Sequence, residues 1–147
     1  MTTGDRAPGD FIEINGPFGM PFEVPGDRDA DRLLIGMSTG IAPFRALVTH
    51  IYEEVSDWRG RVRLFHGARS GLELLYRNEQ KDDFTQYYHQ ETFAAFEALS
   101  PRPQWSDPIA IETALAERAE ELRDILNGSE TRVHVAGRED MVPALNS

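Results

Sequence analysis

The run Leu33 to Arg45, LLIGMSTGIAPFR, joins an apolar stretch to a proline through residues with little side chain, Gly36, Ser38, Thr39 and Gly40. Small residues at a strand-to-helix turn let a ligand approach the main chain. The N–H groups that open a helix add partial positive charge there. That chemistry suits a phosphate held by backbone amides. Glycine at such a turn also serves turn geometry alone, and GMSTG does not match GxGxxG, so both readings stay open. Among other reactive side chains, His50, His66, His89 and His134 lack metal-ligand spacing, and no HExxH occurs. They read as surface or packed residues, with His66 set apart because it ends a strand on the expected ligand side. There is no nucleophile elbow. The absence of cysteine excludes a disulfide framework, a thiolate metal site and a thiol nucleophile.

The elements that must position the loop follow from the patterning. Residues 1–9 read as a loose lead-in, Phe11 to Asn15 as a half-buried strand ended by NGPFG, and Gly26 to Arg32 as a solvated connection. LLIGM is a strand, and Pro43 suits the first turn of a helix whose stripe is Phe44, Leu47, Val48, Ile51, Tyr52 and Val55, ending near Trp58. Arg61 to Ala68 alternates as a second strand. Ser70 with Glu73 forms a capping box opening a helix over Gly71 to Gln80. Either Phe84 to Tyr88 or Thr92 to Leu99 supplies the third strand, the latter spacing Phe93, Phe96 and Leu99 as a helix would, and pattern does not choose. Tyr87 and Tyr88 read as core or rim. One helix is predicted from Asp107-Pro108 to Leu126, with Ile111, Ala114, Leu115, Leu122, Ile125 and Leu126 on one side and a solvated acidic face. Thr131 to Gly137 is a last strand, and REDMVPALNS starts a helix. Strands alternating with helices imply an α/β fold, a Rossmann-like parallel sheet with helices on both faces. Its ligands bind beyond the carboxyl ends of the strands, where strand order reverses.

The 147 residues fit one domain, burying roughly two-thirds of the unfolded chain's surface. A formal net charge of −10 argues against a nucleic-acid binder. No apolar run is long enough to cross a bilayer, and MTTGDRAPGD lacks a secretory pattern. With the missing cysteines, this sets the expectation of a soluble, cytoplasmic protein.

In order and spacing, GPFG (Gly16 to Gly19), LLIGMSTGIAPFR, LFHGARSGLELLY (Leu64 to Tyr76) and VHVAGREDM (Val133 to Met141) resemble the nucleotide-binding half of the ferredoxin–NADP reductase family. TGIAPFR and LLY are the most specific blocks. The resemblance implies two parts. Residues 1–27 are a lead-in with a remnant of the final strand of a flavin β-barrel domain, and 28–147 are an NADP-binding domain without its C-terminal helix and last strand. It further implies a two-domain flavoenzyme in which hydride passes between NADP(H) and FAD, and the flavin exchanges single electrons with ferredoxin or flavodoxin. The cofactors supply that chemistry and the protein supplies orientation.

By the same resemblance, Ser38, Thr39 and Gly40 lie under the pyrophosphate and nicotinamide ribose, and Ile41, Ala42 and Pro43 shape the wall. Gly67, Ala68 and Arg69 end the second strand, and Ala136 and Gly137 lie near the nicotinamide. Ser38 replaces the family's middle glycine, and Ala136 a cysteine of plant-type members. Placing TFAAFEALS on the third strand puts Ser100 and Arg102 at a 2′-phosphate, with Trp105 the candidate for stacking on adenine. No metal ligand or catalytic side chain is implied. Because the flavin motif Arg-x-Tyr-Ser is absent, the chain alone is expected to bind nucleotide weakly and reduce no acceptor. The alternatives are an NADH-linked reductase component of an oxygenase system, and a non-catalytic nucleotide-binding or interaction domain. A dock for an acidic acceptor would lie on the flavin domain or on Arg59, Arg61 and Arg63.

Overall fold

A computed structural model of the chain describes residues 26–68, 74–75, 84–99, 111–128 and 130–137. The apolar run after Asp31 forms β1 (Asp31–Met37), buried on both faces as a central parallel strand must be. β2 (Val62–Ala68) pairs with it on one side and β4 (Thr131–Ala136) on the other, while β3 (Phe93–Leu99) lies beyond β2. All pairings are parallel, in the order β3-β2-β1-β4. The chain therefore steps outward from β1 to β3 and returns to the far side of β1. Strand order reverses between β1 and β4, as the α/β reading expects.

Helices cover both faces. Leu34, Val62 and Leu64 meet Phe44, Leu47 and Val48 of α1 (Ala42–Thr49), with Phe84, Tyr87 and Phe93 extending the cluster. On the opposite face Leu33, Ile35, Met37 and Phe65 meet Ile111 of α2 (Ile111–Ala116) and Leu122 of α3 (Ala119–Leu126).

Four sequence expectations are corrected or resolved. α1 continues only as a π-helical turn over His50–Glu54, short of Trp58. Trp58 instead donates its indole N–H to the Gly60 carbonyl at 2.6 Å. The third strand is Phe93–Leu99, and Phe84–Tyr87 is a 3-10 turn. The helical spacing misleads because this strand packs on both faces: Phe93 joins the α1 cluster, while Phe96 meets Phe65 at 5.0 Å between ring centroids. The single helix through Leu126 is two helices, α2 and α3. Arg118 breaks it with φ −113° and ψ 17°, its guanidinium seated over the Phe96 ring at 4.5 Å. Leu126, expected on the apolar side, is 53% exposed. Of the helix predicted over Gly71 to Gln80, only Leu74 and Leu75 are described, and they lie in no regular element. The predicted strand before Gly16, the cap at Asp107-Pro108 and the helix after Gly137 lie outside the described residues. Tyr87 is core and Tyr88 half-exposed rim, as expected.

Nor is the acidic run only a solvated face. Glu121 bonds Arg63 at 2.5 Å and Asp124 bonds Arg61 at 2.6 Å, fastening α3 to β2 and the residue before it. Arg61 also grips Asp31 through Nη2 at 2.6 Å and Nε at 3.0 Å, and Arg59 grips Asp29 at 2.5 and 2.8 Å. The basic cluster considered as a dock is thus consumed in ion pairs.

Candidate functional site

At the carboxyl end of β1 the chain enters a 3-10 turn, Ser38–Ile41, which runs directly into α1 with Pro43 in its first turn. Proline fits there because the opening N–H groups of a helix have no intrahelical acceptor. Ser38 holds φ 48°, a left-handed conformation that suits the glycine it replaces. Thr39, Ala42 and Pro43 are exposed, and Ser38 and Gly40 half-exposed.

The glycines answer to packing first. A Cβ on Gly36 would stand 3.1 Å from both Ile41 Cδ1 and Phe44 Cε2, so its absence lets the start of α1 settle onto β1. A Cβ on Gly40 would stand 2.4 Å from the Ala136 carbonyl oxygen and 3.0 Å from the Gly137 nitrogen. The loop therefore lies against the end of β4. Two segments nearly a hundred positions apart meet at the point where strand order reverses. Both are small, and Thr39 and Gly137 leave it open to solvent.

The other expected residues distribute as follows. Gly67 and Ala68 end β2 in buried positions, in register with Met37 on β1 and with Ala98 and Leu99 on β3. Ile41, expected in the wall, is fully buried and belongs to the α1 core. Arg69, Ser100, Arg102 and Trp105 lie outside the described residues. His66 is buried in register between Gly36 and Glu97, near the carboxyl ends of the strands. Sequence reasoning missed the direct meeting of Gly40 with Ala136 and Gly137. Its only signal was that both segments are small and each ends a strand.

Charge separates the two ends of the sheet. Ser38 to Pro43 carry no charged side chain. Asp27, Asp29, Asp31 and Glu130 instead line a cleft with Gly128 and Thr131 at the amino ends of β1 and β4. There the hydrogen bond between their side chains lowers the Asp27 pKa and raises that of Glu130. The amino end of the sheet is therefore acidic and the loop at its carboxyl end uncharged. Among the described residues no group of histidine and carboxylate side chains could hold a metal ion. No described helix is long and apolar enough to cross a membrane.

A parallel sheet whose order reverses beside a small-residue loop and a helix start defines a doubly wound nucleotide-binding domain. The chain belongs to the oxidoreductase NAD-binding domain family, whose profile matches residues 34–147. It is 32% identical over 143 residues to the chloroplastic leaf isozyme 1 of ferredoxin–NADP reductase from Arabidopsis thaliana, covering 93% of this chain and 39% of that protein. It is 29% identical to ferredoxin–NADP reductase from Thermosynechococcus vestitus, covering 95% and 37%. The chain thus spans under two-fifths of the length of these relatives. In fold it resembles a mutant ferredoxin–NADP+ reductase from Plasmodium falciparum, with TM-score 0.68 and 18% identity over 90% of this chain and 50% of that one. It also resembles a form of that enzyme with 2′P-AMP, with TM-score 0.60 and 18% identity over 90% and 53%.

Proposed function

We propose that this chain is the NADP(H)-binding module of an FAD-dependent ferredoxin or flavodoxin–NADP reductase. The observation that carries the reading is the seating of Gly40 on Ala136 and Gly137. It brings the two motif segments into one cradle at the reversal point, free of bulky or acidic side chains. A pyrophosphate suits such a cradle because the start of a helix carries partial positive charge and the side chains around it are small. When bound, the nicotinamide supplies a hydride to a flavin or receives one from it.

The chain's own residues bind and orient. Ser38, Thr39 and Gly40 supply the loop, with the Ser38 hydroxyl a donor where the family has glycine. Ala42 and Pro43 form the outer wall, and Ala136 and Gly137 floor the nicotinamide end. Gly67, Ala68 and Arg69 border the side toward β2. Ser100 and Arg102 hold a 2′-phosphate, for which a guanidinium fork is suited, and Trp105 stacks on the adenine. FAD is held mainly outside residues 28–147. With Arg59, Arg61 and Arg63 paired to acids, the acceptor protein docks on another part of the complete reductase.

Titration of the chain with NADPH and NADH, beside Arg102→Ala, tests the assignment. Tighter binding of NADPH, with the preference abolished by the substitution, is expected. Equal affinities, unchanged by the substitution, would remove the 2′-phosphate assignment. Purified chain of this length is also expected to give no NADPH-dependent reduction of ferricyanide. Bound FAD together with such activity would contradict the division of labour.

A further inference from the structure

The sheet face that carries α1 holds a second constellation, remote from the cradle. Arg32 on β1 and Arg132 on β4 are register partners, and His134 follows two residues along β4 on the same face. Neighbouring strands hold the two arginine backbones about 4.8 Å apart. Arg32 is an arginine inside an apolar strand. It is fully buried, and none of its three guanidinium nitrogens has a hydrogen-bond partner. Its described neighbour is Trp58, with the ring centroid 5.4 Å from the guanidinium carbon. Among the described residues neither arginine makes a salt bridge.

A guanidinium cannot discard its proton to escape burial, so an anion is the means of satisfying it. The acids nearest by are engaged elsewhere: Asp27 attracts Arg32 from a distance but hydrogen-bonds Glu130. The crowding of positive groups shows in their titration. Burial, then Arg132, lowers the Arg32 pKa, and burial, then Arg32 and Arg132, lowers that of His134.

We propose that Arg32 and Arg132, with His134 beside them, form a site for a small tetrahedral oxyanion of the phosphate or sulfate type, separate from the nucleotide cradle. Two guanidinium forks on adjacent strands lie in different planes, which one planar carboxylate does not match, whereas oxygens at tetrahedral corners can engage both. Arg32 is fully buried and Arg132 exposed, so an anion would enter from the Arg132 side. Arg32 and Arg132 precede Gly36 and Ala136 by four strand residues each, about 13 Å, and His134 lies between the two ends.

The test is the thermal midpoint of the chain in inorganic phosphate against chloride at matched ionic strength. A Trp105→Phe background makes Trp58 the sole tryptophan, excited selectively at the red edge of the absorption band. A saturating rise in midpoint with a change in Trp58 emission is expected. Arg32→Met should remove both responses while matching or exceeding the parent's midpoint without phosphate, and Arg132→Met should weaken phosphate binding about tenfold. Should Arg32→Met fail to fold, Arg132→Met decides alone. A non-saturating rise, or an undiminished one in the decisive variant, overturns the site. So does a phosphate effect abolished by saturating NADP+ but kept in that variant, which would place the anion in the cradle. Nucleotide binding, measured separately in Arg32→Met and Arg132→Met with Trp105 retained, should not change.

Discussion

At Gly40 a missing side chain decides the geometry. A Cβ there would press into the Ala136 carbonyl at 2.4 Å, and backbone cannot yield as a side-chain tip can. Gly40→Ala should cost about 1–3 kcal/mol by urea unfolding, the range for overpacking, and should weaken nucleotide binding. Ser38 bears the opposite strain. Its φ of 48° is costly for a residue with a Cβ, and Ser38→Gly should raise stability by up to about 1 kcal/mol after the added freedom of the unfolded chain is subtracted. If the hydroxyl contacts phosphate, the same variant should bind NADPH more weakly, separating its two roles. The loop's smallness was legible in the sequence, but its first cause was not. LLIGMSTGIAPFR alone does not reveal that Ala136 and Gly137 lie beneath it, because parallel neighbours are brought together by crossovers far apart in the chain.

At the level of elements, α3 is held by packing and by ion pairs to the sheet. Arg63 spans Glu121 and the carbonyls of Val62 and Thr92, with its side chain only 13% exposed, so Arg63→Ala should cost about 1.5–3 kcal/mol. Arg59→Ala, which breaks an exposed pair with Asp29, should leave the urea midpoint nearly unmoved. β1, an unbroken apolar run, and β2, an alternating one, could be read directly. β3 could not, because Phe93, Phe96 and Leu99 fall at helical spacing while Phe93 and Phe96 pack on opposite faces of the strand. The break between α2 and α3 was hidden for another reason. The run IAIETALAERAEELRDIL is helix-forming throughout, and a tertiary contact, Arg118 over Phe96, overrides that propensity.

For the whole molecule, the sheet separates a charged amino end from an uncharged loop at the carboxyl end. The positive cluster on β1 and β4 also makes stability depend on pH. His134 is held below the ordinary histidine pKa, so the unfolded chain takes up its proton first as pH falls, and folding stability declines through about pH 6.5 and below. His134→Gln should flatten that decline between about pH 7.5 and 5.5, read from urea midpoints. The α/β class and the end of the sheet where strand order reverses followed from strand-helix alternation, while the neutralisation of Arg59, Arg61 and Arg63 required partners that no local pattern names. The most direct test of the account is a backbone-amide NMR titration of the chain with NADP+. Shifts concentrated at Ser38 to Ala42, Gly67, Ala68, Ala136 and Gly137, and lost in Gly40→Val, are expected. No shifts, or shifts confined to Asp27 to Asp31 and Glu130 to Thr131, would contradict it.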